Sequence, residues 1–314
     1  MQNLLFTFNV VAPVFLIIFL GLWLKSKRWI DQNFVAISSR LVFSVTLPAL
    51  VFSKILATDF HIALNVKEML FVYIGTVAVF AVSWLISFAL SGKGADRAVF
   101  IQGSFRSNFA IVGFALLSNT LGDHVLTKAA IILAVVMPLY NILSVVALTL
   151  PVRKEKHLSF KKMVIDILTN PLIIAIVGAI PFSYLRIRLP GFIDTTIDYL
   201  ATLTLPLALL GIGGALNFAS IRKEFKLTLA ATLMKIVIVP ACLTFGAFQL
   251  GIVGEELVVL FMLFATPTAV VSYIMAEAMG CNSELAGNII VMTTLGSIFT
   301  ISLGIFILKS VGVI

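Results

Sequence analysis

Blocks of about twenty apolar residues, separated by short charged or Gly/Pro-rich breaks, follow one another along the whole chain. A block of that length crosses about 30 Å of hydrocarbon as a helix. The breaks divide the sequence into ten predicted spans, near 6–24, 34–53, 69–91, 98–119, 125–150, 164–182, 193–217, 227–250, 256–279 and 285–308. Two blocks differ in texture. The fourth carries Gln102, Ser104, Arg106, Ser107 and Asn108 in its middle, and the ninth carries Thr266, Pro267, Thr268 and Ser272. The pattern predicts an all-α polytopic membrane protein of ten transmembrane helices, with the fourth and ninth interrupted.

The punctuation repeats. Pro13 returns as Pro171, "TLPALVF" (46–52) returns as "TLPLALL" (204–210), and "LGD" (121–123) faces "MGC" (279–281), each 158 residues later. One gapless offset predicts two homologous halves of five spans: an N-terminal repeat at 1–150 and a C-terminal repeat at 163–314. The basic segment 151–162 joins them. Because five is odd, the second half enters the membrane the opposite way round, and the repeat is inverted. With the N-terminus outside, thirteen basic residues fall on inner loops and six on outer segments. The positive-inside rule then puts both termini on the outer face and the 151–162 loop in the cytoplasm.

Composition narrows the class further. The chain has 314 residues, 61% of them hydrophobic and 11% charged, and its mean hydropathy is +1.13. Soluble domains carry about 25% charged residues, so this chain cannot cover a water-facing surface. The net charge of +8 therefore reads as loop topology rather than as a nucleic-acid footprint. Phe6 to Leu24 reads as a first span and not as a cleaved leader, having no basic start or small-residue cleavage site. Cys242 and Cys281 suggest neither a disulfide nor a metal framework. His61, His124 and His157 fall in loops, and no paired-Asp or HExxH motif accompanies them, which argues against a membrane-embedded enzyme.

The candidate chemistry lies in the interrupted spans. A cation at mid-membrane costs at least about 2.5 kcal/mol, so Arg106 and Lys235 each need a reason to be there. Both lie nine residues into the bilayer from a cytoplasmic basic residue, Arg97 and Lys226 respectively. No carboxylate is equally deep; Asp166 and Glu277 sit near inner helix ends. An interior with excess positive charge predicts an anionic substrate, against the bland alternative of snorkelling or carbonyl pairing that suits Arg40 best. At a broken helix, free N–H groups attract anions and free carbonyls attract cations. Arg106, Ser107, Asn108, Thr266, Pro267, Thr268, Ser272 and Lys235 are accordingly the candidate substrate-binding residues, with Glu277 a candidate for coupling. Asn141, Asn170 and Asn288 either line a cavity or bond between helices.

Several stretches resemble the auxin efflux carrier family, whose members include plant auxin exporters and bacterial permeases for malate- or malonate-like acids. "SRLVFSVTLPALVFSKI" (39–55) is similar to that family's second span, "RSNFAIVGFAL" (106–116) to its fourth and "NPLIIAIVGAI" (170–180) to its sixth. "LPLALLGIGGAL" (205–216) resembles the seventh, Lys235 with Pro240 the eighth, and "PTAVVSYIMAEAMG" (267–280) with "ELA" (284–286) the ninth. The resemblance implies a scaffold of spans one, two, six and seven, and a transport domain of spans three, four, five, eight, nine and ten. It also implies crossing broken helices, elevator-type motion and a homodimer. Arg106, Ser107, Asn108 and Pro267 fall on the crossover. The chain departs from the family at Ala115, where proline is common, and at Val271, where asparagine is usual. These departures imply a less symmetric crossover with one polar ligand fewer.

The sequence therefore points to secondary transport of a small carboxylate across the plasma membrane, the inner membrane of a bacterium, with no cofactor and with H+ or Na+ as candidate coupling ions. The expected partners are the anion, the lipid bilayer and a second copy of the chain, with no nucleic acid. The alternatives are a sodium-coupled symporter on the ten-helix plan of bile-acid transporters and, more remotely, a membrane-embedded enzyme.

Overall fold

The computed structural model describes residues 2–56, 66–90, 94–152, 169, 171–187, 189–215 and 224–313. Within these residues the regular structure is all helical, joined by short turns and two interruptions, and contains no strand. The helices are α1 (Gln2–Ser26), α2 (Gln32–Leu41), α3 (Leu47–Leu56), α4 (Val66–Leu90), α5 (Gly94–Phe105), α6 (Phe114–Leu121) and α7 (Val125–Thr149). They continue as α8 (Pro171–Tyr184), α9 (Gly191–Ala215), α10 (Phe225–Leu233), α11 (Val239–Gln249), α12 (Glu255–Ala265), α13 (Val271–Ala278) and α14 (Ser283–Ser310). Among the described residues six stretches are long and apolar enough to cross a bilayer: Gln32–Ser53, Val66–Leu90, Val125–Val152, Gly191–Ala215, Phe225–Gln249 and Ser283–Ser310. Ala12–Ser26 and Phe109–Leu121 are shorter apolar helices. This is an all-α polytopic membrane protein. Residues 153–162 of the basic loop, Asp166, Asn170, His61 and His157 lie outside the described residues.

Burial places the interrupted segments at the centre. Every residue from Ala98 to Phe105 of α5 is buried, as is every residue from Leu257 to Ala265 of α12. The outward faces are apolar instead: Leu85 of α4, and Phe192 and Tyr199 of α9, stand among the most exposed side chains. In hydrocarbon, non-helical backbone survives only where protein surrounds it, and that is where both interruptions fall. Arg40, which ends α2, is exposed, as a snorkelling residue should be.

Helix α1 lies directly on α9. Glycines make the approach that close. A Cβ at Gly213 would overlap the Ile18 carbonyl oxygen, and one at Gly21 would overlap the carbonyl oxygen of Leu210. The "GIGGAL" run is thus a helix-contact surface, of the small-residue kind that lets two backbones meet in lipid.

Three helices contain a π-helical turn, at Val42–Thr46, Phe109–Gly113 and Met234–Ile238. Each ends the same way: Leu47, Phe114 and Val239 donate their N–H to the carbonyl five residues back, on Val42, Phe109 and Met234. The next residues are Pro48, Ala115 and Pro240. A proline has no N–H to give and its ring clashes with the carbonyl four residues earlier; the wider turn moves that carbonyl aside. The second span and the eighth therefore carry a proline that explains the turn. The fourth has the same turn with alanine in the proline's place.

Two outcomes follow from this packing. Gly213→Leu should destabilise the purified protein by overpacking, on the order of 1–3 kcal/mol in a thermal melt, whereas Gly178→Ala should melt like wild type, since nothing lies within 4 Å of its added Cβ. Ala115→Pro should cost less than about 1 kcal/mol, against about 3 kcal/mol for Ala130→Pro in the regular turns of α7. Equal melting losses for the two prolines would show that the turn at 109–113 does not accommodate the ring.

Candidate functional site

The fourth span stops at Phe105 and restarts at Phe109; the ninth stops at Ala265 and restarts at Val271. The two gaps meet in a short antiparallel bridge between Ser107 and Thr268. Asn108 N–H donates to the Pro267 carbonyl at 2.8 Å, and Ala269 N–H donates to the Arg106 carbonyl at 3.3 Å. Thr268 adds two clasps. Its hydroxyl donates to the Gly103 carbonyl at 2.7 Å, and its N–H donates to Thr293 Oγ1 of α14 at 3.1 Å. A backbone that has left the helix thus recovers much of its hydrogen bonding from the opposite gap.

Helix polarity sorts the charges around this crossing. Gaps leave free carbonyls at the ends of α5 and α12, and free N–H groups where the chain re-enters the helix at Phe109 and Val271. Lys235 stands at the carbonyl end of α12, and Arg106 lies in the gap between the end of α5 and the restart at Phe109. Arg106 directly follows α5 and is 5% exposed. Its Nη1 donates to Ser144 Oγ and to Met275 Sδ, both at 2.9 Å, and its Nη2 donates to Asn141 Oδ1 at 3.0 Å. Asn141 and Ser144 are three apart on α7 and so share one face. Lys235, on the π-helical turn of the eighth span, is 1% exposed. Its Nζ donates to the Phe264 carbonyl at 2.6 Å and to Ser107 Oγ at 2.7 Å. Among the described residues, neither cation meets a carboxylate.

The N–H side opens onto a cavity of about 90 Å³. Arg106, Ser107 and Asn108 form part of its wall, beside Ala110 and Ile111 of the restarted fourth span and Ala269, Val270 and Val271 at the restart of the ninth. Tyr140 and Met137 close it from α7; Val42 and Phe43 of the second span and Leu207, Ala208, Gly211 and Ile212 of the seventh cover the far side. Asn108 is 6% exposed, and its side-chain amide has no hydrogen-bond partner among the described residues.

Several residues expected from sequence lie close by without reaching this wall. Lys235, Thr266, Pro267 and Thr268 are buried at the crossing or at its carbonyl side, and Ser272 is buried in the first turn of α13. The hydroxyls of Thr266 and Ser272 have no partner among the described residues. Asn141 turns out to be an interhelical bonder, to Arg106. Glu277 falls on α13, and its side chain lies outside the described residues. Sequence reasoning missed Ser144 and Met275 as partners of Arg106, and Phe43, Met137 and Tyr140 as cavity walls. Only the Asn141/Ser144 spacing offered a signal, because a polar pair three residues apart in an apolar helix marks a face that needs a partner.

No curated protein matches the chain significantly. A family model described as membrane transport protein matches residues 6–305. The match takes in both interrupted helices and both enclosed cations and covers nearly the whole chain, and the chain is a member of that membrane transport protein family, the auxin efflux carrier and malate-permease-like transporters.

Proposed function

We propose that this transporter carries a small organic anion, a carboxylate, and holds it where the two helices restart. The observation that carries the reading is a guanidinium 5% exposed, bonded only to neutral partners among the described residues, on the wall of a cavity that also receives the free Asn108 amide. An uncompensated buried cation is costly, and an anion beside it offsets that cost. Two helix N-termini aimed at the same cavity add partial positive charge, and Asn108 offers two N–H donors. Arg106 supplies charge at a fixed position, while Asn108 and Ser107 supply direct hydrogen bonds.

Transport would proceed by elevator-type alternating access, with two inverted five-helix repeats divided into a scaffold (spans one, two, six and seven) and a moving body. The distribution of polar ties supports this division. Side-chain hydrogen bonds knit the proposed moving body together: Arg106 to α7, Lys235 to both gaps, Cys281 Sγ to the Leu148 carbonyl, and Asn282 Nδ2 to both Asp96 and Glu224. Lys128 joins Glu256 across α7 and α12. On the scaffold side, Ser53 donates to Asp198 across α3 and α9 at 2.8 Å. Where the two groups face each other at the cavity, the scaffold contributes Val42, Phe43, Leu47, Leu207, Ala208, Gly211 and Ile212, with no side-chain hydrogen-bonding group among them. A dry wall slides without breaking bonds. The protein would work in the plasma membrane as a homodimer, with both termini outside.

Asn108→Ala should weaken carboxylate binding about 10- to 100-fold, the worth of one hydrogen bond to a charged group, and leave the melting temperature near that of wild type because Asn108 has no side-chain partner to lose. Arg106→Ala should abolish uptake in proteoliposomes. Wild-type-like uptake by both variants would sink the assignment.

A further inference from the structure

We infer that Lys235 is a resident cation: its ammonium fills the position at the carbonyl end of α12 where a coupling sodium ion would otherwise bind, so that transport proceeds without sodium. The inference goes beyond the anion-transport reading, and its first test needs no substrate.

A broken transmembrane helix leaves carbonyl oxygens at its C-terminal end, and in transporters such ends coordinate Na+ or protons. Here the end is α12, and its carbonyl groups point into the crossing. The Phe264 carbonyl would ordinarily accept from Thr268 N–H, but that N–H is spent on Thr293 Oγ1. Lys235 Nζ takes its place at 2.6 Å and also reaches Ser107 Oγ at 2.7 Å, so a single ammonium touches both gaps. Two oxygen acceptors, one in the first gap and one in the last turn of α12, suit a monovalent cation, and the unpartnered Thr266 hydroxyl follows two residues after Phe264. An ammonium is a compact point charge with three donors, and it meets the same requirement through hydrogen bonds.

Geometry speaks against the other use of this lysine, as a ligand for the transported anion. Lys235 is 1% exposed, forms no part of the cavity wall, and stands at the negative end of a half-helix, where an anion is disfavoured. The position is set by the π-helical turn Met234–Ile238 on which the residue sits, followed by Pro240. The two cations therefore divide the work: Arg106 borders the cavity, and Lys235 holds the crossing together from the opposite side.

The test compares thermal melts of wild type and Lys235→Ser in choline, sodium and methylammonium chloride at equal ionic strength. Wild type should melt at the same temperature in all three. Lys235→Ser should melt lower in choline and recover by about 3 °C or more when sodium or methylammonium at about 100 mM occupies the vacated position. In proteoliposomes, wild-type uptake of a carboxylate should be unchanged when choline replaces sodium. A wild-type protein that is stabilised by sodium over choline overturns the inference, and so does a folded Lys235→Ser that neither cation rescues. If the variant does not fold, the wild-type comparison decides alone. A wild type that takes up no carboxylate at all would instead defeat the anion-transport reading, and the melts would remain interpretable.

Discussion

Everything at the centre of this molecule answers to one constraint: backbone that leaves the helix inside a bilayer must find its hydrogen bonds within the protein. Two helices break at the same depth, and each break supplies what the other lacks. Asn108 N–H goes to the Pro267 carbonyl, Ala269 N–H to the Arg106 carbonyl, and the Thr268 hydroxyl to the Gly103 carbonyl. A break in only one of the helices would leave these groups bare. The crossing is therefore a joint device, and the complete burial of α5 from Ala98 and of α12 from Leu257 follows from it. The packing of Gly103 against Ile289 of α14, where a Cβ would stand 3.0 Å from the side chain, shows how closely the surround is drawn in.

The same breaks create an electrical asymmetry. Carbonyl ends collect on one side of the bridge and N–H ends on the other. The chain places Lys235 against the carbonyl end of α12, sets Arg106 on the cavity wall, and directs that cavity to the N–H ends. Placing Lys235 at a carbonyl end lowers the cost of burying it, because the half-helix supplies opposite partial charge without a carboxylate. An ion pair there would have neutralised the site. Leaving the partners neutral keeps a net positive interior, and that is the property on which the proposed anion recognition rests.

Much of the architecture was legible because membrane helices write themselves in apolar length, and because a polar cluster inside such a length is expensive enough to mean something. Arg106 and Pro267 announced the two breaks in that way. The prolines at 48 and 240 were visible too, one within the repeated "TLPALVF" stretch and the other paired with Lys235; that each sits two residues beyond a π-helical turn is a matter of carbonyl geometry, which no composition records. Ala115 shows the limit in the other direction. Its turn has no proline to signal it, so the backbone is shaped there by Phe114 donating back to Phe109 and by the packing around it. The cavity's apolar cover was illegible for a different reason. Val42, Phe43 and Leu207 look like any lipid-facing residue until the fold turns them inward.

That cover bears on how a binding site can coexist with motion. The helices α1 and α9 approach so closely at Gly21 and Gly213 that their backbones touch, which fixes one side of the cavity as a stiff wall. The crossing is stiff as well, cross-tied by Lys235, Arg106 and Thr268. In the proposed division into a scaffold and a moving body the compliant element is the contact between them, and at the cavity the scaffold side of that contact is apolar. Apolar contacts are non-directional, so they exchange partners at little cost, whereas each buried hydrogen bond broken in hydrocarbon would cost several kcal/mol on the order of its desolvation. In the proposed division the side-chain hydrogen bonds named above lie inside each body, and at the cavity the scaffold side offers only side chains that have none to lose.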